Sequence, residues 1–196
     1  MPRSETVTRA DILKAAAEVV RKKGERELGV RAIAAELNSS TQPVYSQFRG
    51  GMEELKAALY EEAKAQYRAS IDSYLSTAPH GRYEAFGMGF VRFAREEKGL
   101  YRFLFLSERN VDFLDPFFDD IVAEMCSLYH MSRETACAFH RDMAVFSYGL
   151  GTLVNTGWNL SDKEISEAFK REFLALYALY FPDRPRLKGG NDEQHH

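Results

Sequence analysis

The sequence predicts an all-α protein of about nine helices, with a three-helix head that ends in a helix-turn-helix and a six-helix body. Three observations carry that prediction. Apolar residues recur at three- and four-residue spacing along most of the chain. Capping residues stand at the start of several of these runs: Thr8 with Asp11, Ser132, and Ser161 with Glu164. No segment alternates polar and apolar residues with the period of a strand, and no internal repeat occurs.

The first helix is expected after Thr8, with Ile12, Leu13, Ala16, Val19 and Val20 on its apolar face and Gly24 as a left-handed stop. A second, from Val30 to Leu37, turns Ile33, Ala34 and Leu37 to one side, and Asn38 ends it in the left-handed region. Ser40 is read as the N-cap of a third. Pro43 is tolerated in its first turn, where amides have no intrahelical acceptor to lose. This third helix turns Val44 and Phe48 inward and leaves Thr41, Gln42, Tyr45, Ser46 and Gln47 outward. Gly50-Gly51 breaks the chain, and a long helix from Met52 to Ser76 carries Leu55, Leu59, Ala63, Tyr67, Ile71 and Tyr74 as its buried stripe, ending at Thr77-Ala78-Pro79. Further helices are expected over 81–97 and 99–107, from Pro116 with Asp115 as cap, from Ser132 to Gly157, and from Ser161 to just before Pro182. The domains expected are residues 1–51 as head, 52–182 as body and 183–196 as a polar, flexible tail.

Composition narrows the classes of function. No stretch has the flanks of a signal peptide or the roughly 20 apolar residues that span a bilayer, so the expected location is the cytoplasm, with no membrane partner. Two cysteines, Cys126 and Cys137, are too few for a disulfide framework. Residues 1–60 carry ten Lys and Arg against eight Asp and Glu, whereas 61–196 carry sixteen against twenty-one, so the head is the basic part of an acidic chain. No Gly-x-Ser-x-Gly, phosphate-binding glycine loop or His-Glu-x-x-His occurs; Gly87-Met88-Gly89 and Gly149-Leu150-Gly151 fall inside helices. Neither catalysis nor a cofactor is expected.

Two short helices joined by a tight turn, the second polar on its outer face and backed by the first helix, match the physical description of a helix-turn-helix DNA reader. The segment "ILKAAAEVVRKKG…VRAIAAELNSSTQPVYSQF…MEELK" resembles the N-terminal domain of the TetR family of bacterial repressors. The resemblance lies in Ile-Leu-x-Ala-Ala on the first helix, Ile-Ala before the turn and Tyr-x-x-Phe closing the third helix, over about residues 9–60. The chain departs from the family pattern at Asn38-Ser39-Ser40 (usually Gly-Val-Ser), at Leu28-Gly29, at Gln47, and at Arg49-Gly50-Gly51-Met52 in place of a lysine.

Thr41 and Gln42, with Ser40 at the helix entry, are expected at base edges; a glutamine that pairs with adenine supplies about 1–3 kcal/mol of discrimination. Tyr45, matching the family's tyrosine, is expected to donate to a phosphate, as is Ser46 or Gln47. Arg31, Arg49 and the amides opening the fourth helix are expected on the backbone, joined by Arg3 and Arg9 when the N-terminal arm orders.

The body is rich in aromatic residues, most of them core. The resemblance implies a pocket there for a small-molecule effector, partly apolar and unidentified, with Tyr67, Phe90, Phe105, His140, Tyr148 and Asn155 as the expected lining and Arg92 as a further polar group. It also implies a homodimer through the last two helices, reading a palindromic operator in double-stranded DNA as a repressor. Gly149 and Gly151 permit close helix approach, and Ile165, Phe169, Phe173 and Leu176 form a face suited to another helix. Two alternatives stand beside this reading. Cys126 with His130 and Cys137 with His140 have one-face helical spacing and could serve a metal or thiol sensor. The chain could also be a helical binding protein that does not act on DNA.

Overall fold

Thr8 opens the first helix with a complete capping box: its hydroxyl accepts the Asp11 amide at 3.2 Å while the Asp11 carboxylate accepts the Thr8 amide at 2.9 Å. From there the computed structural model describes residues 7–76, 82–107 and 117–183. Among the described residues it contains nine α-helices, one 3-10 turn and no strand. The helices are α1 (Arg9–Lys23), α2 (Val30–Glu36), α3 (Gln42–Gln47), α4 (Gly51–Leu75), α5 (Arg82–Glu96), α6 (Lys98–Phe105), α7 (Phe118–Leu128), α8 (Arg133–Thr156) and α9 (Asp162–Tyr180). None is long and apolar enough to cross a membrane. The all-α expectation holds. Arg3, the Thr77-Ala78-Pro79 stop, the start at Gly81, Asp115, Pro116 and the tail from residue 184 lie outside the described residues.

The chain divides into two compact units, one of Met1–Ser70 with Glu96–Asp112, the other of Ile71–Arg95 with Phe113–His196. In the first, α1 packs on α2, α3 and α6. Ile12, Ala16, Val19 and Val20 of α1 are buried, as are Ile33 and Ala34 of α2, Val44 and Phe48 at α3, and Leu55, Leu59, Ala63 and Tyr67 along α4. Gly24 takes φ +84°, ending α1, and a 3-10 turn over Glu25–Glu27 that no apolar period announces leads to α2. At the far end of α2, Asn38 takes φ +49°, the Ser39 amide donates to the Ala34 carbonyl and the Asn38 amide to Ala35. That is a Schellman motif with asparagine in the left-handed position, as expected of Asn38. One expected boundary is corrected: Thr41, not Ser40, precedes α3, and its side chain makes no capping bond. The proline at the second helical position has no amide to cap, so the helix opens without help from a side chain.

In the second unit, α7 packs on α8 and α8 on α9. Ser132 accepts the Thr135 amide at 3.1 Å to start α8, and Gly157, at φ +116°, ends it with a second Schellman pair, Trp158 to Leu153 and Gly157 to Val154. Ser161 and Glu164 form the predicted capping box of α9. Gly87 of α5 lies under the Phe169 ring, where an added Cβ would stand 2.8 Å from two ring carbons. The expected partner face of α9 is corrected here. Ile165 and Phe169 are buried within the subunit, and Phe173 packs against Tyr83, Tyr129 and Phe139 at 5.2–5.6 Å. This face belongs to the chain's own core. Tyr74, placed in the stripe of α4 by its spacing, is only half-buried.

Candidate functional site

The outer face of α3 is built by subtraction. Val44 and Phe48, four residues apart, are buried, and burying two such side chains stabilises by about 1.5–3 kcal/mol each. Helical geometry then forces Gln42, Tyr45, Ser46 and Gln47 outward: all four are exposed, and Tyr45 shows 59% of its surface. Thr41 is half-buried at the entry; Ser40, Arg31 near the start of α2, and Arg49 just past α3 are exposed. Of the eight residues expected to meet DNA, seven are exposed and Thr41 is half-buried. Ser46 differs from its neighbours in that its hydroxyl donates to the Pro43 carbonyl at 2.9 Å. Giving that proton to an outside oxygen would break an existing bond, so of the pair Ser46 and Gln47 it is Gln47 that is poised to donate.

At the start of α4 two amides are already bonded within the chain. Its first amide, Gly51, donates to the Phe48 carbonyl at 3.0 Å, and the preceding Gly50 amide donates to Glu54 Oε2 at 2.9 Å. Those two donors are already satisfied, and Glu53 and Glu54 add acidic charge to the same turn. Anion binding at a helix N-terminus needs unsatisfied amides, so Gly50 and Gly51 do not supply them. The Glu54 carboxyl is held below the usual carboxylate range by the Gly50 amide first and by the Arg9 guanidinium second. Arg9 is exposed but already paired, its Nη1 donating to Glu54 Oε1 and to the Gln47 carbonyl at 2.8 Å each.

The expected effector residues fall into separate groups. In the first unit Tyr67 and Phe105 meet edge to face at 5.3 Å. In the second, Phe90 and Tyr148 pair at 5.1 Å, and Asn155, almost wholly buried, donates its Nδ2 to the Ala94 carbonyl at 3.0 Å. His140 is buried with its ring 5.4 Å from Phe118 and 6.2 Å from Tyr83, whose hydroxyl stands 3.5 Å from Nδ1. Tyr83 was not singled out from the sequence, since an isolated tyrosine early in a helix carries no motif. Arg92 is exposed, with its guanidinium 5.7 Å from the Tyr74 ring.

Among solved structures the chain is similar to that titled "Crystal structure of multidrug binding protein EbrR complexed with imidazole", at 18% identity and a TM-score of 0.55, over 83% of this chain and 93% of that one. No family model matches the sequence, and no curated protein does. The chain has a TetR-like fold. At that identity the TetR-like likeness speaks to architecture alone.

Within this fold the thiol and imidazole pairs do not assemble. Cys126 and Cys137 are half-buried free thiols, His130 is exposed in the turn before α8 at φ +52°, and His140 is buried. Among the described residues no three His, Cys, Asp or Glu side chains are grouped to hold a metal ion. Helical spacing aligned each pair on its own helix, but convergence is a tertiary property that spacing does not determine.

Proposed function

We propose that this chain is a DNA-binding transcriptional regulator, a repressor acting as a homodimer on a palindromic operator and released by a small, partly apolar molecule. The observation that carries the reading is the outer face of α3, where Gln42, Tyr45 and Gln47 stand exposed around a buried Val44 and Phe48 anchor. In this reading Gln42 and Thr41 meet base edges, while Tyr45, Gln47, Arg31 and Arg49 hold phosphates. Residues 1–51 read DNA and 52–182 bind effector and partner, in the cytoplasm and without catalysis.

The similarity to EbrR, titled a multidrug binding protein, supports a small-molecule site, and we place the effector in the second unit against Phe90, Tyr148 and His140. Dimerisation through the last two helices keeps Gly149 of α8 and uses a face of α9 other than the one read from the sequence. Val145, Gly149 and Leu153, each four residues on, line one exposed side of α8, and Ala175 and Leu179 line one of α9. Val145 and Leu179 are 67% and 71% exposed, apolar surface that a copy of the chain would cover. Two heads so joined would meet half-sites about 34–36 Å apart.

The test is enrichment of bound duplexes from a random pool by the purified chain, followed by titration of the enriched duplex. Tyr45→Ala is expected to weaken binding about tenfold, the loss of a hydrogen bond to a charged phosphate. No enrichment of any duplex would overturn the reading. For release, effector and DNA must weaken each other by the same factor, so equal effector affinity for free and DNA-bound chain would overturn that part.

A further inference from the structure

A helix of six residues does not hold itself together; isolated helices shorter than about 12 residues are marginal in water. The geometry of α3 is therefore imposed from outside. At its C-terminal end the imposing group is Arg9, the first residue of α1. One nitrogen, Nη1, donates to the Gln47 carbonyl, 38 residues away in sequence, and to Glu54 Oε1, 45 residues away, both at 2.8 Å. The guanidinium carbon stands 4.0 Å from the centroid of the Phe48 ring. Glu54 completes the connection, since its Oε2 accepts the Gly50 amide at 2.9 Å. The carbonyl Arg9 takes is one that α3 leaves unpaired at its C-terminus, where a cation is favoured. At the other end of α1, Lys22 bonds Glu36 at the end of α2. The first helix thus ties down both helices of the helix-turn-helix.

We propose that Arg9 is a positioning residue for operator reading: it sets where α3 lies against α1 and α4 and makes no phosphate contact of its own. The proposal rests on the DNA-reading function given above. Its charge is already shared with Glu54, so it adds little to the attraction for a duplex, whereas a paired glutamine contact to a base tolerates little displacement of the helix that carries it. The effect of losing Arg9 should fall on sequence discrimination more than on general affinity, because phosphate contacts carry little sequence information.

The test compares wild type, Arg9→Ala, Arg9→Lys and Glu54→Gln on two probes, the duplex enriched by the wild-type chain and the unselected random pool, at several salt concentrations well below the melting temperature. Arg9→Ala is expected to cut the ratio of enriched-to-random affinity about tenfold, as loss of a charge-assisted hydrogen bond would, while the slope of log affinity against log salt stays unchanged. Arg9→Lys, which keeps the charge but not the planar face over Phe48, should recover part of the ratio. A fall in both affinities together, with the slope reduced by about 0.9, would make Arg9 a phosphate contact and overturn the proposal. An unchanged ratio would overturn it in favour of a purely stabilising role. Where Arg9→Ala fails to fold, Glu54→Gln carries the comparison, since removing its negative charge raises both affinities alike and only displacement of α3 lowers their ratio.

A second readout needs no DNA. Hydrogen exchange in the free Arg9→Ala chain should quicken about tenfold at the Tyr45 and Phe48 amides, which bond the Thr41 and Val44 carbonyls, and unaltered exchange there would contradict positioning. A wild-type chain that prefers no duplex, with exchange quickened as expected, would remove the DNA-reading function and leave the clasp standing.

Discussion

Gly99 of α6 lies directly on the backbone of Val20 in α1: a Cβ added to it would meet the Val20 carbonyl oxygen and stand 2.6 Å from the Arg21 Cα. Neither is the movable end of a side chain. Arg21 reinforces the joint, bonding Glu97 at 2.7 Å and Gln66 at 2.5 Å. Glycine in a helix interior normally costs stability relative to alanine, about 0.5–1 kcal/mol, and near a helix start it costs less. Here close approach reverses the sign, and Gly99→Ala should destabilise by about 1–3 kcal/mol as α6 is forced off α1. Thermal unfolding by circular dichroism reads this as a melting temperature lowered by several degrees; an unchanged or raised value would show that α6 is not held against α1 in solution.

Gly149 predicts the opposite outcome for the same substitution. Nothing stands within 4 Å of a Cβ built there, and it lies in the interior of α8 on the exposed stripe with Val145 and Leu153. Within one subunit Gly149→Ala should therefore stabilise by about 0.5–1 kcal/mol. Val145→Arg and Leu153→Arg leave the subunit core untouched, and each should turn a dimer into monomers in sedimentation while unfolding as wild type does. Dimers surviving both charges would place the interface elsewhere.

Asn155, one of the residues expected to line the pocket, holds a helix end. The Ala94 carbonyl it bonds belongs to the last turn of α5, where carbonyls lack intrahelical donors, and the site is buried. Asn155→Ala should cost about 1–3 kcal/mol by leaving that oxygen without its amide. Asn155→Asp should cost more, since a carboxylate cannot donate and would face the carbonyl with like charge. A chemical denaturation series over the two variants checks the order, and equal stability of both with wild type would show that the bond is not needed.

What was legible in the sequence was local. Thr8 with Asp11, Asn38, Ser132 and Ser161 with Glu164 each act within a few residues of themselves, so spacing alone located four helix ends or starts. The outward set on α3 followed from one helical period. What spacing could not decide was which surface meets which. Phe169 and Phe173 mark an apolar face whether a neighbouring helix of the same chain or of a partner covers it, and the structure spends that face on Gly87, Tyr83 and Phe139. Arg9 read as an arm residue for phosphate because its partners, Gln47 and Glu54, lie far along the chain. Gly99 carried no sign that a backbone would press on it.

Three carboxylates, Glu164 exposed and Asp11 and Glu54 half-buried, give a dependence on pH whose sign can be worked out. Asp11 is held below its usual 3.8 by the Thr8 hydroxyl and amide, and Glu164 below its usual 4.5 by the Ser161 hydroxyl and amide. Glu54 is held below 4.5 by the Gly50 amide and, next, by Arg9. A group whose folded value is depressed binds more protons unfolded than folded in the window between the two values, so stability rises with pH there. Each contribution is complete above the unfolded value and is lost as pH falls through the folded one. Carboxyl shifts followed by NMR should give midpoints below 3.8 for Asp11 and below 4.5 for both glutamates. Arg9→Ala should move Glu54 only part of the way back, because the Gly50 amide is the larger cause and remains. A Glu54 midpoint at its usual value in wild type would mean that neither bond persists in solution, and the clasp on α3 would go with them.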